Sequence, residues 1–297
     1  MSILLKWIYN NPSAPFLLAL FTLPFSANLL AVESEESKLQ RYPLYEMGAG
    51  LLSVSFPDYP GASHNRQVSF PFPSLSYRGK ILRSKADEGV RGRFINSRYV
   101  ELDFSADGSL ASDIKDNKVR EGMPDLDTVL EIGPSLIFHL KRPTRSNRLQ
   151  VDFHLPLRYI FSTDLSSVRQ LGVTINPFLN LKVKNLFHHE DLLQFTIGMK
   201  YATEGLQDYY YEVTPQYQTA QRPAFDAQPG LMEQAMSLLI FQPITAKKGL
   251  WIFGGLIRGN FKHAVNRDST LLAKDINTSL ALGIYYNFYR SSSYVYE

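Results

Sequence analysis

The chain has 297 residues, with 31 Lys plus Arg against 28 Asp plus Glu, no Cys, 17 Tyr and 19 Phe. A formal charge of +3 carried by dispersed cations leaves no electrostatic footprint for nucleic acid, and the absence of Cys removes disulfide frameworks, thiol catalysis and Cys-ligated zinc. The 44% hydrophobic content supports a folded body, yet the mean hydropathy is only -0.16, the profile of a chain that alternates apolar and polar residues.

In chain order, the first segment reads as an address. Met1 to Ala31 holds no acid and a single Lys6, runs through an apolar stretch from Ala14 to Ala27, and gives way to the acidic block Val32-Glu-Ser-Glu-Glu36. A basic start, a short apolar core and small residues before a polar start predict a cleaved signal peptide over 1–31, with Ala27 as the second choice of cleavage point. Pro15 and Pro24 break the run as an anchor. Residues 32–43 then read as a periplasmic lead.

No later segment is apolar for long enough to cross a bilayer as a helix. Alternation with a period of two recurs instead. Val100, Leu102 and Phe104 oppose Glu101, Asp103 and Ser105; Val151, Phe153, Leu155, Leu157, Tyr159 and Phe161 oppose Asp152, His154 and Arg158. Leu193, Phe195, Ile197, Met199 and Tyr201 repeat the pattern, as do Leu280, Leu282, Ile284, Tyr286 and Phe288. Less regular runs cover 44–56, 68–79, 89–97, 126–140, 171–183, 231–243 and 250–263, separated by turn chemistry such as Pro57-Asp-Tyr-Pro-Gly61 and Ser84-Lys-Ala-Asp-Glu-Gly89. Alternation alone fits a membrane barrel, a soluble sandwich or a lipocalin-like barrel. Length favours the barrel, because the cleanest runs match the ~9–11 residues of a spanning strand rather than the ~5–6 of a soluble one. Tyr77, Tyr99, Tyr159, Phe161, Tyr201, Tyr285 and Tyr289 stand near run ends, where an interfacial girdle places aromatics.

The expected fold is therefore all-β: a transmembrane antiparallel up-and-down β-barrel over 44–289, with 290–297 as a C-terminal extension. Eleven segments are counted, and such barrels have an even number of strands. The twelfth is expected from the aromatic stretch Tyr209 to Tyr217, or the count is ten if one segment is false. Pro71 and Pro73 inside a strand predict a bulge or an edge-like break, since Pro donates no ladder hydrogen bond.

Several strings carry a family likeness: Gly48-Ala-Gly50, Pro57-Asp-Tyr-Pro-Gly-Ala-Ser63, Phe70-Pro-Phe-Pro-Ser-Leu-Ser-Tyr-Arg-Gly79, Arg120-Glu-Gly-Met-Pro-Asp-Leu-Asp127, Glu131-Ile-Gly-Pro-Ser135, Tyr209-Tyr-Tyr-Glu-Val-Thr-Pro215 and Leu282-Gly-Ile-Tyr-Tyr-Asn-Phe288. In this order they resemble the MltA-interacting protein / OmpV family over about residues 43–289. The resemblance implies a Gram-negative outer-membrane barrel and a scaffold between a lytic transglycosylase and a bifunctional murein synthase. Two features depart from it: Glu212 stands where the family tends to have Gly, and Arg290 to Glu297 follows the usual aromatic end. Either Tyr294-Val-Tyr296 extends the last strand or a short tail hangs in the periplasm.

No constellation for catalysis emerges. None of His64, His139, His154, His188, His189 and His263 has Ser two residues on, the arrangement of the barrel hydrolases. His188-His189-Glu190-Asp191 reads as a solvated turn before a metal site, since neighbours in a strand point opposite ways. Glu131, Asp152 and His154 are set to approach one another on a wet interior, where a salt-bridged lining is the ordinary outcome. Gly254, Gly255 and Gly259 lack a phosphate-loop lysine and read as close packing. Lys141, Arg142, Arg145 and Arg148 form the densest basic patch, either a solvated turn or a contact with anionic headgroups or lipopolysaccharide phosphates.

No catalytic, cofactor-binding or metal residue is assigned, and no cofactor. The expected role is a non-enzymatic outer-membrane scaffold or envelope-integrity protein. The expected partners are outer-membrane lipid, lipopolysaccharide and, by resemblance, the two murein enzymes. A narrow solute channel is the alternative, its conduction set by lumenal residues such as Glu101, Arg158 and Lys200; a barrel lipid hydrolase is the third reading.

Overall fold

A sheet whose strands are apolar on one face only has, in lipid, one way to satisfy every backbone donor and acceptor, which is to close on itself. The computed structural model describes residues 41–85, 89–109, 117–144, 148–187, 190–244 and 248–296. The expected signal peptide and the tandem His188-His189 lie outside the described residues. The strands are β1 (Arg41–Pro43), β2 (Tyr45–Pro57), β3 (Asn65–Arg78), β4 (Leu82–Lys85), β5 (Gly89–Asn96), β6 (Val100–Ser109), β7 (Thr128–Lys141), β8 (Leu149–Thr163), β9 (Val168–Ile175), β10 (Phe178–Lys184), β11 (Leu192–Ala202), β12 (Gly230–Pro243), β13 (Leu250–Asn260), β14 (Ile276–Arg290) and β15 (Tyr294–Tyr296), with one helix, α1 (Glu204–Tyr211).

Apart from β9 and β10, each strand from β2 to β14 pairs antiparallel with its successor, and β14 returns to β2. β9 and β10 lie end to end along β8, interrupted at Asn176-Pro177. Counted as one, they give a closed antiparallel barrel of 12 strands. The expected count is met by a different strand. Tyr209 to Tyr217 supplies no wall strand, because it forms the end of α1 and a 3-10 turn; the strand overlooked is β4, four residues long and rich in turn-like polar side chains.

The alternation fixes what each face meets. Leu51, Leu75, Leu130, Ile197, Leu238 and Leu282 point outward and stay exposed, an apolar belt suited to lipid. Glu46, Glu101, Asp103, Glu131 and Asp152 point inward and are buried. This is an outer-membrane β-barrel. Tyr285 does not join the girdle: it pairs across from Gly50 and Trp251, faces the lumen and is 8% exposed. Its neighbour Tyr286 takes the outward place, as the period of two requires.

Connections at the end holding both termini are short, such as 79–81, 97–99 and 244–249, while those at the other end include 110–127, 203–229 and 261–275. Short turns face the periplasm and long loops the exterior, so Lys141, Arg142 and Arg148 of the basic patch stand at the periplasmic end, while Arg145 lies outside the described residues. There Arg142 donates to the carbonyls of Ser97 and Arg98 in the adjacent turn. β15 pairs with β1, so the chain ends form a separate two-stranded ribbon at the periplasmic end. Pro71 and Pro73 pair with Leu51 and Ala49 of β2 with no bulge, and among the described residues β4 pairs with β3 only at Tyr77 and Arg78.

Candidate functional site

The loops at the exterior end fold into a cap over the barrel mouth. Its core contains Tyr59 and Ala62 from the β2–β3 turn, Leu126 from the β6–β7 loop, Leu206, Tyr210 and Tyr211 from α1, and Phe261 and Leu272 from the β13–β14 loop. Val129 and Ile160, on the lumenal faces of β7 and β8, are buried in the same cluster, so the cap packs into the mouth. Leu206 with Tyr210 and Gln207 with Tyr211 are spaced i, i+4 and form the buried face of α1. Glu204 in the first turn suits the helix dipole. Thr203 at the N-cap position accepts from Val173 N–H at 2.9 Å, which docks the helix start on β9. After α1 the chain leaves helical geometry and Val213 pairs with Phe225.

Because the cap backbone is irregular, side chains satisfy its buried carbonyls. Tyr59 Oη donates to Leu271 O at 2.7 Å, Tyr211 Oη to Pro60 O at 3.0 Å and Ser269 Oγ to Tyr211 O at 2.7 Å. Arg120 donates to Tyr210 O at 2.9 Å and lies over the Tyr59 ring. Arg222 spans three carbonyls, those of Val119, Glu121 and Tyr217. Asn277 clamps the β2–β3 turn, accepting from Gly61 N–H at 2.6 Å and donating to Ala62 O at 2.9 Å. Gly61 has φ +83, and a Cβ there would meet Leu272 at 2.9 Å, which is why the Pro60-Gly61 turn takes no larger residue. Burial pushes the Tyr59 and Tyr209 hydroxyls up to about 12 and raises Tyr210 and Tyr211 as well. It lowers Arg120 from its ordinary value. These tyrosines therefore act as neutral donors and packing groups across physiological pH.

Three of the strings that carry the family likeness meet here: Pro57 to Ser63, Arg120 to Asp127 and Tyr209 to Pro215. Their residues are far apart in sequence, and the shared buried cluster and the hydrogen bonds just described bring them together. Their local patterns read as turns and a strand. The one local signal of the helix was the i, i+4 spacing of Leu206 and Tyr210.

The lumen below the cap has two unlike walls. One is aromatic: Phe72, Phe241, Trp251, Phe253 and Tyr285 stack or meet edge-on across β3, β12, β13 and β14. A Cβ on Gly283 would run into the Phe253 ring, so glycine makes room for this wall. The other is a ladder of ion pairs. Arg91 meets Asp103 at 3.0 Å, Arg93 meets Glu101 at 3.5 Å, Arg158 meets Asp107 at 3.2 Å and Lys200 pairs with Glu131. At the periplasmic end Glu46 bridges Arg78 and Arg290.

Glu131, Asp152 and His154 do not converge. Glu131 is opposite Ile160 while Asp152 is opposite His139, several residues further along the same pair of strands. Asp152 binds His139 Nδ1 at 2.8 Å, and His154 stacks on Phe178. Among the described residues His139 Nε2 is buried with no hydrogen-bond partner. His64 binds Asp58 at 3.1 Å, and Asp58 also accepts from Asn117 in the cap. Gly255 lies against Leu239 and Gly259 against Glu233 and Phe261, in keeping with close packing. Among the described residues no three His, Asp or Glu side chains are grouped as a metal site.

The family described as MltA-interacting protein MipA matches residues 47–288. No curated protein sequence matches the chain. Solved structures similar to it include a bacterial polysaccharide outer membrane secretin, 9% identical with a TM-score of 0.38, covering 82% of this chain and 99% of the other. The NanC porin is 8% identical with a TM-score of 0.34, covering 82% and 98%. The translocator domain of the autotransporter NalP from Neisseria meningitidis is 8% identical with a TM-score of 0.36, covering 83% and 88%.

Proposed function

From the premise that this chain belongs to the MltA-interacting protein MipA family, we propose that it is a non-catalytic scaffold of the outer membrane that holds murein-cleaving and murein-building enzymes at its periplasmic end. The observation that carries this reading is the cap: a packed core with Tyr211 fully buried occupies the outer mouth, and ion pairs and aromatic rings line the lumen beneath it. A chain built this way offers surfaces rather than a conduit. The partner-facing surface is the terminal ribbon with its neighbouring turns, where Arg41 lies over Tyr294 and Tyr42 lies beside Arg78. The family name points to a lytic transglycosylase as one partner, and a murein synthase is the complementary one. Outer-membrane lipid and lipopolysaccharide surround the outward apolar belt.

The test is crosslinking in intact cells from a photoreactive group placed at Tyr294. A murein hydrolase or synthase among the captured proteins is the expected result; its absence, with the protein present and folded, overturns the scaffold role. Planar-bilayer recording supplies the second arm, in which the capped barrel gives no unit conductance. Reproducible unit conductance favours a narrow channel instead.

A further inference from the structure

We infer that the space beneath the cap is a binding site for a small methylated ammonium ion, received by the Glu233 carboxylate and the Phe261 ring. A cavity of about 200 Å³ lies there, below the ~300–1,000 Å³ of a drug-sized site. Tyr59 and Phe261 belong to the cap core and form its roof. Phe56, Glu233, Ile257 and Ser279 come from the exterior ends of β2, β12, β13 and β14. This site is separate from the periplasmic surface assigned to protein partners.

Solvent reaches the cavity from the lumen. By the period of two, Ile257 is in step along β13 with the lumenal Trp251 and Phe253, yet it is 47% exposed. Gly259, the next inward position, keeps the space clear. A Cβ there would stand 3.0 Å from Glu233 Oε2 and 3.2 Å from the Phe261 ring, so the carboxylate and the ring flank one point. Arg66 and Arg120 lie over the rings of Phe56 and Tyr59 but do not line the cavity, which leaves Phe261 as the ring beside the acid.

Most of the polar lining is already engaged. Asp58 holds His64 and Asn117, Tyr59 Oη donates to Leu271 O, Asn277 holds Gly61 and Ala62, and Ser109 Oγ lies 3.5 Å from Tyr210 Oη. Glu233 is different. Lys200, opposite it in the strand ladder, is paired with Glu131, and Arg158 is paired with Asp107. The charges acting on Glu233 are these same Lys200, Glu131 and Asp107, so two cations offset two acids and the charge of Glu233 is left over. Among the described residues it has neither a hydrogen bond nor an ion pair of its own. A carboxylate away from bulk water is costly without a partner, and a cationic ligand removes that cost. A primary ammonium needs an acceptor for each N–H, which this lining does not supply. A methylated one needs only the opposite charge and an aromatic or apolar surround.

The test is titration calorimetry of the full barrel in a maltoside detergent, which brings no ammonium group. Choline is the probe, and the alcohol in which carbon replaces its nitrogen is a control of equal shape without charge. The expected result is saturable binding of choline, with the uncharged control weaker by roughly tenfold or more. Glu233→Gln weakens choline by roughly tenfold or more, while Glu233→Asp, which keeps the charge, retains binding. Gly259→Val fills the space and abolishes binding, with heat-dependent gel mobility unchanged. Equal binding of choline and its uncharged twin, no saturable binding to the unaltered barrel, or undiminished binding by Glu233→Gln overturns the site.

Discussion

The barrel wall and the cap use the same residue types under opposite rules. In the wall Leu282 is 69% exposed and apolar side chains face out, while Glu131 and Asp152 are turned inward. In the cap Tyr211 is 0% exposed and apolar groups face inward around it. The wall satisfies most of its backbone through strand ladders such as β7 with β8 and β13 with β14. The cap has little ladder, so Tyr59, Tyr211, Arg120, Arg222 and Asn277 each end on a main-chain carbonyl. The wall is therefore specified by local alternation, and the cap by a few long-range contacts between loops.

That contrast predicts that the two regions fail separately. Tyr211→Ala removes a fully buried aromatic side chain and leaves Pro60 O without its donor; deletions of this kind cost about 3–5 kcal/mol. The expected outcome is fast hydrogen exchange through α1, with the heat-dependent gel shift of the barrel retained. Loss of that shift as well would mean that cap and wall form one cooperative unit. Leu282→Arg addresses the other region. A cation on the lipid face costs about 2–4 kcal/mol near the bilayer midplane, so the urea midpoint of the barrel in lipid falls while exchange in α1 is unchanged.

The same contrast explains what the sequence made legible. Strands such as β8 and β14 are readable because every second residue is apolar from Val151 to Phe161 and from Leu280 to Phe288. β4 is not, because Leu82-Arg-Ser-Lys85 is too short for a period to register. Tyr209 to Tyr217 looked like a girdle strand because aromatic residues suit both an interface and a buried core; contacts with Pro60, Ser269 and Arg120, remote in sequence, decide that they belong to a core. Tyr285 was placed in the girdle by its position near a strand end, although the parity of Leu282, Ile284 and Tyr286 already turned it inward. The ion-pair ladder followed from alternation, but the pairing of Asp152 with His139 rather than Glu131 depends on strand register, which no local pattern encodes.

The smallest effect expected is also confined to the cap. Asp208 lies in the last turn of α1, where a negative charge opposes the helix dipole. Burial, then the nearby carboxylates of Glu212, Glu204 and Asp226, push its carboxyl up to about 6 from an ordinary 3.8. Below 3.8 the folded and unfolded chains both carry the proton, and the group leaves stability unchanged. Between 3.8 and 6 the unfolded chain has released it while the folded cap still holds it, so cap stability declines as pH rises and reaches its lower level above 6. Hydrogen exchange in α1 should accordingly be slower at pH 4 than at pH 7, after correction for the intrinsic pH dependence of exchange. Asp208→Asn removes the titrating group and flattens that difference without altering barrel strand exchange. An undiminished pH dependence in this variant would assign the effect to another carboxylate of the cap.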